Sequence, residues 1–317
     1  MRWLALLVVC LPCLAWPCAV ADVGSLQTHI RGEEALVVFD EAKGMEHFIR
    51  SAEFLTEGGS FGFIVPTPSE PQFAEFDADI FAKLASAYEA ARPETRKLDV
   101  SSMFLLRKME GHNAIGGLVQ VLSSDRVAGM DVTVVKASDA TALSEWLAKH
   151  GFTMRPALQT WLDSYVKQGW VFSAFKYEGA PKSSTTSKAV RISFPTKVPI
   201  YPYREPSDSS RRAGMQVWVV APQARTWKGH APFMQSAKLV LPSTIESLVS
   251  GPKVVTLFDD LTEKRPDADV EFLPSASTSE ILIPRVVPVT IPLEGLCCVL
   301  PVVVVAVLVF RRRKRQA

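Results

Sequence analysis

Along the chain, the spacing of apolar residues changes several times, and each change predicts an element. Residues 35–39 form an unbroken apolar run, closed by Asp40, Glu41 and Gly44. A short apolar run bounded by turn residues predicts a strand covered on both faces. Phe48, Arg50, Ala52 and Phe54 then alternate along a second strand, and Phe61, Phe63 and Val65 share one face of a third. The intervening Lys43–Gly44 and Gly58–Gly59 pairs predict tight turns, hence an antiparallel meander. Pro66 and Pro68 carry no amide proton and are expected to end the third strand.

The period then lengthens. Ile80, Phe81, Leu84, Ala85 and Tyr88 fall on one helical stripe, opened by Asp77 or Asp79 and stopped by Pro93. Residues 92–112 read partly as a connector, and 118–122 and 130–136 as strands joined by a polar turn at 123–126. Ser138 is placed to cap a helix carrying Leu143, Trp146 and Leu147, which ends at His150 and Gly151. Pro156 opens another helix, with Leu158, Trp161, Leu162, Tyr165 and Val166 on its stripe and Gly169 beyond its end. Residues 170–177 return to a strand pattern, so a helix pair is inserted between strands of one sheet.

Further strands are expected at 190–194, 216–220, 238–241 and 254–258, with a Ser/Thr-rich surface loop at 180–188. The predicted class is α+β, mostly antiparallel, and the domain is expected to fill residues 22–273.

Both ends depart from this pattern. Arg2, an apolar stretch over 4–11 and the Ala19-Val20-Ala21 triplet have the three parts of a secretory signal, with cleavage expected after Ala21. Residues 274–292 are rich in proline and suit an extended stalk. Residues 293–310 then read as one transmembrane helix, and 311–317 as a basic cytoplasmic tail. Basic residues stay inside, so the folded part is expected outside the cytoplasm.

Charge changes the picture of partners. The chain carries 35 basic and 33 acidic residues, a net of +2. Arg2 and the five cations at 311–315 account for six of the basic ones, so the exported part has a net charge of about −4. Nucleic-acid binding rests on clustered cations, and that class is set aside. All five cysteines lie at the ends: Cys10, Cys13 and Cys18 in the signal, Cys297 and Cys298 at the membrane entry. The domain itself therefore has no disulfide, thiol nucleophile or cysteine metal site. Lipid attachment or sorting cleavage near Cys297 and Cys298 is the alternative to a plain anchor.

The five histidines, His29, His47, His112, His150 and His230, are isolated, so zinc-type spacing is absent and no metal or cofactor is expected. Glu46 stands beside His47, but neighbours on a strand point to opposite faces. No phosphate-binding glycine loop or nucleophile elbow is present, and no catalytic residue is assigned. Two Pro-rich aromatic segments, 63–68 and 199–206, are candidate recognition loops, because proline lowers the entropy lost on contact. Within the second, Tyr201, Tyr203, Arg204 and Glu205 are the candidate binding residues. The bland alternative is a stiff crossover packed beneath the sheet.

The runs RGEEALVVFDEAKGMEHFIRSAEF and FGFIVPTPSEP, then VAGMDVTVVKASDATALSEWLAKHGF, PALQTWLDSYVKQGW and RISFPTKVPIYPYREP, together resemble a bacterial family, domain of unknown function 2330. The resemblance covers about residues 31–206 and implies bacterial export. The family has no established activity, so it implies no catalytic residues. The leading expectation is a single-pass, membrane-anchored protein of the bacterial cell envelope. Its periplasmic or extracellular domain binds an envelope protein or cell-wall component without catalysis, and its C-terminal helix contacts membrane lipid. The rival is an envelope hydrolase with a site assembled from dispersed residues.

Overall fold

The computed structural model describes residues 19–22, 28–56, 60–98, 120–121, 125–178, 183–186, 189–208, 215–228, 233–260, 268–277 and 279–289. They fall in two compact units, Met1–Ala91 with Ala114–Leu282, and Arg92–Asn113 with Ile283–Ala317.

The larger unit holds an eight-stranded sheet of β2 (Thr28–Asp40), β3 (Met45–Thr56), β5 (Gln72–Glu75), β11 (Ser183–Thr186), β12 (Val190–Pro195), β14 (Met215–Ala221), β16 (Phe233–Ala237) and β17 (Val254–Asp260). The order is β16-β17-β14-β2-β3-β12-β5, with β11 pairing the far end of β3. All neighbours are antiparallel except β14 and β2, which run parallel with Val217 opposite Ala35. A six-stranded sheet contains β1 (Ala19–Asp22), β4 (Ser60–Thr67), β7 (Gln120–Val121), β8 (Asp125–Val127), β9 (Met130–Lys136) and β10 (Val171–Glu178), in the order β1-β4-β10-β9-β8-β7. A small third sheet joins β13 (Ile200–Tyr201), β18 (Val270–Pro274) and β15 (Arg225–Trp227).

Three apolar clusters show why the strands read as they do. Ala35 and Val37 of β2 and Val217 and Val219 of β14 face Phe61, Phe63 and Val65 of β4, forming the core between the two large sheets. Leu36, Val38, Trp218 and Val220 face the opposite way, onto α1 (Ile80–Ala91) and the short α4 (Ser243–Glu246). Both faces of β2 and β14 are thus covered, which is why their sequence shows no alternation. On the outer face of the six-stranded sheet, Ile64, Phe172 and Ala174 pack under α2 (Ala140–Lys149) and α3 (Pro156–Val166). The result is four layers: helices, sheet, sheet, helices. The pair α2 and α3 lies between the adjacent strands β9 and β10, as the sequence predicts.

Several expectations are corrected in detail. The cap of α2 is Asp139, whose carboxylate accepts from the Thr141 and Ala142 amides, and not Ser138. The turn before β9 is Ala128–Gly129, in a left-handed conformation, and not 123–126, because 125–127 pair as β8. Residues 238–241 are not a strand; the pairing falls on β16 just before them. β4 runs past Pro66 to Thr67, at a stretch beyond the reach of β1, whose register ends at Ile64. Part of the 180–188 loop pairs as β11.

The cleavage point expected after Ala21 falls inside β1. In the smaller unit, β6 (Glu94–Leu98), in the expected 92–112 connector, runs parallel to β19 (Arg285–Val289), in the expected 274–292 stalk, and Arg285 donates its amide to the Pro93 carbonyl. No helix among the described residues is long and apolar enough to cross a membrane. The predicted span at 293–310, the basic tail at 311–317, Cys297 and Cys298, and residues 1–18 of the expected signal lie outside the described residues.

Candidate functional site

The two Pro-rich segments meet in the fold. Ile64, Val65 and Pro66 from one and Tyr201 and Pro202 from the other line an apolar crevice with Phe48 and Trp161. It has no room for a water molecule, so it reads as packing. Tyr201 and Tyr203 are each 1% exposed, inside the core between the sheets. Tyr201 meets Phe48 edge-on at 5.4 Å, and Tyr203 meets Trp227 edge-on at 5.1 Å. Neither ring offers an outer surface.

Arg204 and Glu205 are half-buried. The main chain of Arg204 is fastened at both ends: its carbonyl accepts from Trp161 Nε1 at 2.8 Å and its amide donates to Asp269 Oδ1 at 3.2 Å. Asp269 also accepts from the Tyr165 hydroxyl at 2.6 Å, tying this segment to α3. Desolvation raises the Asp269 pKa against those hydrogen bonds.

A different group of polar residues gathers on the helix-bearing face of the eight-stranded sheet. On β3, Phe48 points into the core between the sheets and Ile49 points to the helices. Alternation therefore sends Glu46 inward and His47 outward, as the strand geometry predicts. His47 lies opposite Ser193 on β12, and its Nδ1 stands 2.8 Å from Ser193 Oγ. Burial first, then the charges of Arg191 and Lys43, lower the His47 pKa to about 4. Two residues along β12 on the same face is Arg191, opposite Ile49 on β3 and Ala74 on β5.

The β2–β3 turn closes one side of this group. Asp40 is fully buried and accepts from Lys43 Nζ at 2.7 Å and Ser250 Oγ at 3.0 Å. Burial acts against ionisation there, but these donors prevail and lower its pKa. Gly44 holds φ at +58° and gives its carbonyl to the Thr196 amide at 2.9 Å. Nearby, Arg225 is 2% exposed and pairs with Glu41 at 2.9 Å.

Glu46 is a deeply buried carboxyl. Its Oε2 accepts from the Ile200 amide at 2.8 Å, pinning β13 to β3, while its buried Oε1 has no partner among the described residues. Burial pushes its pKa well above the ordinary 4.5. A raised carboxyl pKa means that the folded state favours the neutral form. The resulting stability is fully present below the unfolded value near 4.5 and is lost as pH rises toward the folded pKa. Glu46→Gln abolishes that titration. Urea denaturation at several pH values between 4.5 and 8 is expected to show wild type weakening relative to Glu46→Gln as pH rises. A constant difference between the two would refute the assignment.

Among the described residues no three His, Cys, Asp or Glu side chains come together in a way that could hold a metal ion. Sequence reasoning missed the His47–Ser193–Arg191 group because its members are separated by about 145 residues along the chain. Its one available signal was the Arg191/Ser193 alternation against the apolar Val190, Ile192 and Phe194.

Residues 14–262 match a family described as an uncharacterized protein conserved in bacteria, DUF2330. The chain belongs to that family. No curated protein and no solved structure matches it.

Proposed function

We propose that this chain is a membrane-anchored extracytoplasmic domain of the bacterial envelope that acts by binding an envelope protein or cell-wall component, and not by catalysis. The observation that supports binding is the state of His47. A general base works best with a pKa near the operating pH. A histidine whose pKa is lowered to about 4 is neutral at pH 7 and a poor acceptor for a serine proton. Paired with Ser193 on the helix-bearing face of the sheet, it serves as a fixed polar group. The signal pattern at 1–21, the apolar span at 293–310 and the cations at 311–315 support the anchored, outward placement. The C-terminal helix then supplies the contact with membrane lipid.

The topology is tested with a reporter active only outside the cytoplasm. Activity is expected when it is fused after Pro274 and none when it is fused after Ala317; activity at both junctions, or at neither, contradicts the placement.

The rival hydrolase is favoured by one contact, the 2.8 Å approach of Ser193 Oγ to His47. A fluorophosphonate probe, which labels activated serines, separates the readings. No labelling of Ser193 is expected. Labelling that disappears in Ser193→Ala establishes the hydrolase and ends the binding reading.

A further inference from the structure

Arg191 combines burial with the lack of a partner. It makes no hydrogen bond or ion pair with any described residue, and its Nε is wholly buried without an acceptor. The side chain as a whole is half-buried, so part of it still reaches the surface. Burial already lowers its pKa. An uncompensated charge held this way is unfavourable, and nothing described inside the protein balances it.

The surroundings are arranged for compensation from outside. Ser193 lies two residues away on the same face, at roughly 7 Å by strand geometry, and offers a hydroxyl. Its partner His47 carries no charge at neutral pH. Asp40, the nearest carboxylate acting on His47, is already matched by Lys43 and Ser250. On the outer side, Arg191 is opposite Ala74 of β5, the edge strand of the sheet.

The geometry points to an oxyanion site at Arg191 and Ser193, which takes the carboxylate or phosphate group of the ligand bound by this face. This assignment rests on the binding reading above and names its chemistry. A guanidinium presents paired donors that match either oxyanion, and the serine hydroxyl adds a third when the Nδ1–H tautomer of His47 donates to Ser193 Oγ.

The test is isothermal titration calorimetry on the full chain in nonionic detergent at pH 7. Sodium phosphate and sodium acetate serve as separate probes at constant ionic strength. Saturable binding of at least one probe is expected. Arg191→Gln is expected to weaken it roughly tenfold or more, and Ser193→Ala by a smaller factor. Arg191→Lys keeps the charge but loses the fork, and should fall between wild type and Arg191→Gln. A preference for phosphate or for acetate identifies which oxyanion the ligand carries. Thermal melts of each variant confirm folding, and Arg191→Lys serves if Arg191→Gln does not fold. No saturable binding, or equal affinity in wild type and both Arg191 variants, overturns the site. The binding reading itself is judged separately by the fluorophosphonate result.

Discussion

Tyr203→Ala is expected to lower the melting temperature by on the order of 10 °C, since truncating a large buried aromatic costs about 3 to 5 kcal/mol. The ring is in the core between the sheets, edge-on to Trp227 and 6.1 Å from Tyr201. Removing it leaves a cavity that Trp227 and Tyr201 cannot close, because each is held by other aromatic contacts: Trp227 by Phe258 and Phe272, Tyr201 by Phe48. Arg204→Ala keeps both main-chain bonds to Trp161 and Asp269, and a smaller loss is expected. Differential scanning calorimetry of the two variants provides the comparison. A Tyr203→Ala melt within two or three degrees of wild type would mean that the tyrosine is not buried as described.

Gly62→Ala is the second large effect. A Cβ at this position collides with Phe152 Cε1 and meets the Phe175 carbonyl oxygen at 2.9 Å. The first neighbour is the end of a ring, but the second is backbone of the adjacent strand β10. Overpacking of this kind costs about 1 to 3 kcal/mol. The double variant Gly62→Ala, Phe152→Leu frees the ring contact but not the backbone one, so partial recovery is expected relative to the sum of the two single changes. Chemical denaturation of wild type, both singles and the double completes the cycle. Strict additivity would show that Phe152 does not limit the space at Gly62.

Much of the framework was legible because burial leaves a mark on each element. The continuous run at 35–39 reflects two covered faces, and the stripe from Leu158 to Val166 reflects one covered face of a helix. What escaped notice was short. The two- and three-residue strands β13 and β15 are too brief to show a period, and β18 shows its alternation only once Val270 and Phe272 are seen in the core. The Tyr201 and Tyr203 segment illustrates a different limit. Its prolines and tyrosines announce a stiff, aromatic stretch, but stiffness is equally useful in a recognition loop and in a strut, and only burial distinguishes them. Glu46 was legible only as half of a pair with His47; its inward isolation follows from the packing of Phe48 and from Ile200, about 150 residues distant.

The parallel contact of β2 with β14 sets an order of events in time. Ala35 and Val217 are about 180 residues apart, so the strand at the middle of the larger sheet has no partner on that side until most of the chain exists. A chain delivered N-terminus first at about 5 to 20 residues per second keeps that edge of an apolar strand open for about 10 to 40 s. An open apolar edge invites pairing with other chains. Whatever receives the emerging polypeptide must therefore shield residues 35–39 through that interval, and variants that slow delivery of 215–221 should aggregate before they misfold.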